Sequence, residues 1–177
     1  MQAQVLKINY IKTILGVMLV IADDNYVYML DFKDAKKLGN KVLQVYTKTN
    51  SIISAGTNRI ILSIEKELAL YFQGKLKVFQ TPVKLLGGRF EKMVWRKLRD
   101  IPYGETRSYL EQAKGVGSSK GFRAVGRVNS NNKLIIILPC HRVIKSNGEL
   151  GGYGGGLKRK QWLINHENSS YSLMDIN

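Results

Sequence analysis

A single cysteine in 177 residues excludes an internal disulfide and any zinc or iron–sulfur site built from several thiolates. Two histidines, His141 and His166, do not complete a structural zinc tetrahedron unless carboxylates are recruited. Acidic residues are also scarce: 13 Asp and Glu against 28 Lys and Arg leave a formal charge of +15. A chain this cationic is drawn to polyanions, of which nucleic acid and anionic membrane are the two obvious ones. The longest apolar run near the N-terminus, 14–22, is too short to cross a bilayer. It has no basic leader and ends in Asp23-Asp24, so it does not read as a secretory signal. No membrane partner is expected, and a free thiol suits a cytoplasmic, reducing location. Low-complexity tracts and internal repeats are absent. What remains, 44% hydrophobic and 23% charged residues, is the composition of a folded protein.

The pattern changes along the chain from strand-like to helical, which predicts an α+β protein with domains at 1–84 and 85–177. Residues 10–21 and 26–32 read as two strands joined by the turn composition Ala22-Asp23-Asp24-Asn25. Short strands are expected at 42–46 and 51–54, and 79–83 reads as extended. Ile61, Ile64, Leu68 and Tyr71 recur at helical spacing, with Gly74 as the stop. In the second part, Phe90, Val94 and Leu98 share a helical face, and Pro102-Tyr103-Gly104 stops that helix. Ser108 and Glu111 have capping-box spacing and predict a helix ending near Gly115. Ser118 or Ser119 is expected to cap the next helix, which carries Phe122, Arg123, Val125 and Val128. Two short helices about a Gly-containing turn are the helix-turn-helix outline. Residues 134–138 read as an apolar strand, 148–156 as a glycine-rich loop, and 157–167 as the last helix.

Three features bear on chemistry. Cys140, in Leu138-Pro139-Cys140-His141-Arg142, follows an apolar run and precedes the glycine-rich loop. A lone cysteine is more often a small buried hydrophobe, but strand ends followed by loops are where sites are built. A nucleophilic thiol needs a base and the base an orienting group; His141 and, at the end of the last helix, Glu167 are candidates. Because neighbouring side chains often point apart, a bridging water between Cys140 and His141 is the workable geometry. The glycine-rich loop lacks the phosphate-loop pattern; so many glycines imply close approach to a flat group, with Tyr153 offering a stacking face. Finally, Arg123 and Arg127 lie one helical turn apart, with small Ala124 and Gly126 beside them, as suits a helix that approaches a duplex closely. At this level a Cys–His hydrolase, a thiol redox sensor and a non-catalytic nucleic-acid-binding module all stay open.

The motifs Ile101–Tyr109 (IPYGETRSY), Arg123–Asn132 (RAVGRVNSNN), Leu138–Ile144 (LPCHRVI) and Gly151–Glu167 (GGYGGGLKRKQWLINHE) together resemble the O6-alkylguanine-DNA alkyltransferase family. The resemblance covers about 90–167, and the N-terminal half carries no motif of it. It implies an RNase H-like N-terminal subdomain and a winged-helix-like, helix-turn-helix active-site domain. It also implies irreversible direct-reversal repair of O6-alkylguanine, and of O4-methylthymine, in double-stranded DNA after base flipping. The protein would act as a monomer from the minor groove, with no cofactor and no metal. By position, Cys140 matches the alkyl acceptor, His141 the base acting through water, and Glu167 its orienting acid. Asn132 matches the hinge residue, and Tyr109 the phenol that donates to the leaving guanine and turns its phosphate outward. Arg123 matches the finger that replaces the flipped nucleotide, with Ala124, Gly126 and Arg127 on the same DNA-binding helix. Val143, Tyr153, Gly154 and Gly155 match the lesion pocket. The chain departs from the common pattern at Lys133, where many relatives have proline, and at Arg89 and Glu91, where proline and glutamine are common.

Overall fold

The computed structural model describes residues 4–168. They fall into two compact units that divide between Leu86 and Gly87.

The first unit is a four-stranded sheet with two helices. Its strands are β1 (Val5–Thr13), β2 (Gly16–Ala22), β3 (Val27–Phe32) and β4 (Ile52–Ala55), in the order β3-β2-β1-β4. The first three are antiparallel neighbours; β4 runs parallel to β1. A parallel return needs a crossover, and α1 (Leu38–Thr49) supplies it. The expected strand at 42–46 is therefore helix. Val42 and Val45, three apart, put their side chains on one helical face, and both join Leu6, Leu19, Ile21 and Met29 in an apolar cluster. The β-branched residues that suggested a strand serve here as a helix's buried stripe. The expected strand at 10–21 is two strands, because the chain reverses at Ile14-Leu15 and pairs Thr13 with Gly16. Gly16 there takes φ 120°, a conformation that only glycine adopts readily. The turn at 22–25 is present: the Asp23 carboxylate accepts from the backbone N–H of Asn25 and Tyr26, both at 2.7 Å. Helix α2 (Arg59–Phe72) is capped by Asn58, whose Oδ1 accepts from Ile61 N at 2.9 Å, and buries Ile61, Ile64, Leu68 and Tyr71. Of the extended stretch at 79–83, Val83 makes an isolated bridge to Val27 and no strand forms.

The second unit is helical apart from one short parallel pair. Its helices are α3 (Arg89–Leu98), α4 (Tyr109–Gly115), α5 (Phe122–Ser130) and α6 (Leu157–Glu167). The Glu91 carboxylate accepts from Gly88 N at 2.8 Å and closes the first turn of α3. Helix α4 begins with the expected capping box: Ser108 Oγ accepts from Glu111 N, and the Glu111 carboxylate accepts from Ser108 N at 2.7 Å. No serine caps α5, contrary to expectation. Ser118 is used in a turn closed by Gly121 N donating to Ser118 O at 2.7 Å, which delays the helix start to Phe122. Strands β5 (Arg107–Ser108) and β6 (Val143–Ile144) pair in parallel, placing the start of α4 beside the segment that follows Cys140.

The apolar run 134–138 is not a strand either. It folds back on itself: Leu138 N donates to Leu134 O at 2.8 Å, and Ile136 takes φ 72°. All five residues are buried, and the Asn132 side chain serves the turn's polar groups. A buried backbone must be paired somewhere, and here a side chain replaces a neighbouring strand.

Candidate active site

Cys140 opens a single 3-10 turn, Cys140–Arg142, that leaves the folded-back apolar run. The thiol is 4% exposed. Asn132 Nδ2 donates both to Leu138 O at 2.9 Å and to Cys140 Sγ at 3.2 Å, while its Oδ1 accepts from Leu134 N at 2.9 Å. One amide thus fixes the turn and aims a donor at the sulfur, an arrangement that suits a thiolate. Lys133, where many relatives have proline, is buried; its ammonium sits 5.3 Å from the centroid of the Trp95 ring. Lys133 is thereby held by packing.

His141 is fully buried and bonds Glu167 through Nε2, 2.8 Å from Oε1. A carboxylate accepts, so Nε2 carries the proton and Nδ1 presents a lone pair. That Nδ1 is buried with no hydrogen-bond partner among the described residues. The couple is asymmetric. Burial pushes His141 down and outweighs the attraction of Glu167. Burial alone would raise Glu167, but the hydrogen bonds and charges of His141 and Arg142 outweigh it and hold the carboxyl well below the usual carboxylate range. The resting state is a carboxylate facing a neutral imidazole, which is competent to take a proton.

Arg142 supplies the positive charge. Its Nε donates to Glu167 Oε2 at 2.7 Å, one terminal nitrogen donates to Oε1 at 3.1 Å, and the other donates to Ile101 O at 2.6 Å. Glycine is required nearby: at Gly104, φ 81°, a Cβ would stand 2.8 Å from the Glu167 carbonyl oxygen. Lys160, on α6, is completely buried and donates to Val143 O at 2.5 Å and Gly152 O at 3.1 Å. Burial lowers its ammonium to about 8, and the charge of Cys140 works in the opposite direction. Arg142 and Lys160 escaped the sequence reading. Both lie inside quoted motifs, but a lysine in Lys158-Arg159-Lys160 reads as one more cation of a solvated helix face.

A cavity of about 380 Å³ opens at the sulfur, walled by Cys140, Tyr109, Tyr153, Gly126, Asn129 and Phe122 among others. The Tyr109 hydroxyl donates to Gly152 O at 3.3 Å; burial, with the nearby Cys140 charge, raises the phenol and keeps it a donor. Gly151, φ 69°, lies flat against that ring, where a Cβ would stand 2.8 Å from Cε2. Tyr153 meets His141 edge-on, ring centroids 6.5 Å apart. Of the other expected pocket residues, Val143 is buried with its carbonyl on Lys160, Gly155 is buried with its carbonyl accepting from Arg159, and Gly154 is half-buried. None of these three walls the cavity. Arg123 and Arg127 are exposed on α5; Ala124 and Gly126 between them are half-buried.

Residues 89–169 match the model for the 6-O-methylguanine DNA methyltransferase DNA-binding domain. A methylated-DNA–protein-cysteine methyltransferase of Mycolicibacterium paratuberculosis is 47% identical over 114 residues, covering 62% of this chain and 69% of the relative. The chain belongs to the methylated-DNA–protein-cysteine methyltransferase family. Another member, from Methanosarcina acetivorans, is 49% identical over 104 residues, 59% of this chain and 67% of its own. The likeness to this methyltransferase family extends through both units: a crystal structure of Mycobacterium tuberculosis OGT in complex with DNA aligns with TM-score 0.79 and 32% identity over 96% of each chain. The fold is the mixed α+β architecture of those methyltransferases. Among the described residues no helix is long and apolar enough to cross a membrane.

Proposed function

We propose that this chain repairs DNA by direct reversal, moving the alkyl group of O6-alkylguanine, and of O4-methylthymine, irreversibly onto Cys140. The observation that carries the reading is a buried thiol at the wall of a base-sized cavity, with a neutral His141 held by Glu167 behind it. The target oxygen is hidden in a duplex, so the nucleotide must be extruded into that cavity. Exposed Arg123 enters the stack in its place, and Arg127, Ala124 and Gly126 present the rest of α5 to the minor groove; phosphate contacts from a +15 chain give affinity without sequence preference. Tyr153 covers the base's face; the family resemblance assigns its edge to the backbones of Val143 and Gly154, although neither lines this cavity and the Val143 carbonyl is engaged by Lys160.

His141 Nδ1 takes the thiol proton through a water molecule. The thiolate attacks the alkyl carbon, the C–O bond breaks, and the electron pair returns to the purine, which is protonated with help from Tyr109. In sum, guanine gains the proton and Cys140 gains the alkyl group. The thioether has no good leaving group, so each chain reacts once. We extend the reading to the architecture, with an RNase H-like unit over 1–84 and a winged-helix-like unit over 85–177, and to a cytoplasmic location. The test is mass spectrometry after incubation with an O6-methylguanine oligonucleotide. One added methyl on the Cys140 peptide is expected; label accepted by Cys140→Ala would remove Cys140 from the role, and more than one restored guanine per protein chain would remove the one-use mechanism.

A further inference from the structure

Phe122 is the first residue of α5, and its ring is 44% exposed. The other outward residues of this helix are small or cationic, so Phe122 is its one exposed aromatic. Its ring walls the cavity that holds Cys140. It also walls a second cavity of about 400 Å³, bounded by Leu110 and residues 145–147, and so stands between the two. The Arg123 guanidinium lies 5.7 Å from the ring centroid. Aromatic face and cation form one continuous surface at the mouth of the reactive cavity.

We propose that Phe122 is a positioning residue for base extrusion, its ring covering the extruded nucleotide at the cavity mouth while Arg123 fills the stack. The inference rests on the direct-reversal reading above. A nucleotide leaving the duplex loses stacking on both faces, and an aromatic ring restores part of it. Every base has a π-face, so this contact is independent of sequence and serves a purine or a pyrimidine lesion alike. Contact with the nucleotide also removes exposed apolar surface from water. An alkylated base supplied free, without sugar, phosphate or duplex, needs no extrusion and depends on the ring far less.

Single-turnover transfer by the full chain is timed for the unaltered protein, Phe122→Ala and Phe122→Trp. The probes are an O6-methylguanine duplex, the same strand alone, and free O6-benzylguanine. Phe122→Ala is expected to slow the duplex reaction about tenfold, as loss of one base–aromatic stack predicts, and to slow the free base at least about fivefold less. Phe122→Trp restores the duplex rate. Fluorescence of 2-aminopurine beside the lesion rises on binding, and rises less with Phe122→Ala. Equal slowing on duplex and free base makes the ring a pocket wall and overturns the proposal, as does an unchanged duplex rate. Unaltered protein that transfers from none of the three probes overturns the direct-reversal reading instead.

Discussion

Glu167 carries more of the site than any other side chain described, and Glu167→Gln isolates its charge. The carboxylate accepts from His141 and makes a bidentate pair with Arg142, all three being buried. The amide keeps the shape but leaves a buried guanidinium facing a neutral partner. Removing one member of a buried pair costs about 3–5 kcal/mol, and the Ile101 carbonyl that still accepts from Arg142 favours the lower figure. The cost depends on pH with a definite sign. Glu167 is held down in the folded protein, so its stabilisation is present above the unfolded carboxyl's value near 4.5 and is lost as pH falls below it. His141, also held down, adds a loss of stability in both proteins as pH falls through 6.5. Urea titrations at pH 7 and pH 4 should therefore show the variant about 3 kcal/mol weaker at the first and closer to the unaltered protein at the second. Transfer from O6-methylguanine DNA should fall about a hundredfold or more, the scale on which a positioned general base acts. A variant within about 1 kcal/mol of the unaltered protein at pH 7, or a gap that widens on acidification, would refute the argument.

Asn132→Ala leaves the Leu138 carbonyl with one donor fewer and takes the donor from Cys140 Sγ. Stability should drop by about 1–3 kcal/mol, and alkylation of Cys140 by iodoacetamide should slow at neutral pH. For Lys160→Met the readout is a stability profile at high pH. The unfolded chain holds the Lys160 proton to about 10.5 and the folded chain releases it near 8, so the unaltered protein gains up to about 3 kcal/mol across that window; denaturant midpoints of the variant should lack the gain. Gly151→Ala drives a Cβ into the Tyr109 ring at a left-handed backbone position, and should lower repair with little change in undamaged-DNA affinity measured by fluorescence anisotropy. Arg123→Ala should slow repair in duplex DNA far more than reaction with free O6-benzylguanine in the same timed assay; equal slowing would remove Arg123 from the flipping role.

What was legible in the sequence was local chemistry. The Ser108–Glu111 capping box and the span of α6 are written in adjacent residues and appear as expected. Of Cys140, His141 and Glu167, which the sequence marks as a set, His141 and Glu167 meet at 2.8 Å, and Cys140 shares the 3-10 turn with His141. The misreadings share a cause: an apolar run announces burial without saying what buries it. Val42 and Val45 are covered on one face of a helix, and 134–138 are buried in a reversal held by Asn132. The serine expected to cap α5 is diverted into the turn that Gly121 N closes on Ser118 O. Arg142 and Lys160 were invisible for a related reason. A buried cation looks like a surface cation until the carbonyls and carboxylate that enclose it, from Ile101, Val143, Gly152 and Glu167, are brought round it by the fold.

The placement of Glu167 has a consequence during biosynthesis. A ribosome makes His141 26 residues before the carboxylate that orients it, and Lys160 also follows the cysteine. Until α6 has been made and docked, Cys140 is an ordinary thiol on a chain that cannot yet hold a base. A protein with one reactive cysteine and no means of renewing it has most to lose from stray electrophiles met while nascent. On the role proposed for Cys140, the nucleophile is armed by the last helix described, and the unfinished chain would keep its single use in reserve.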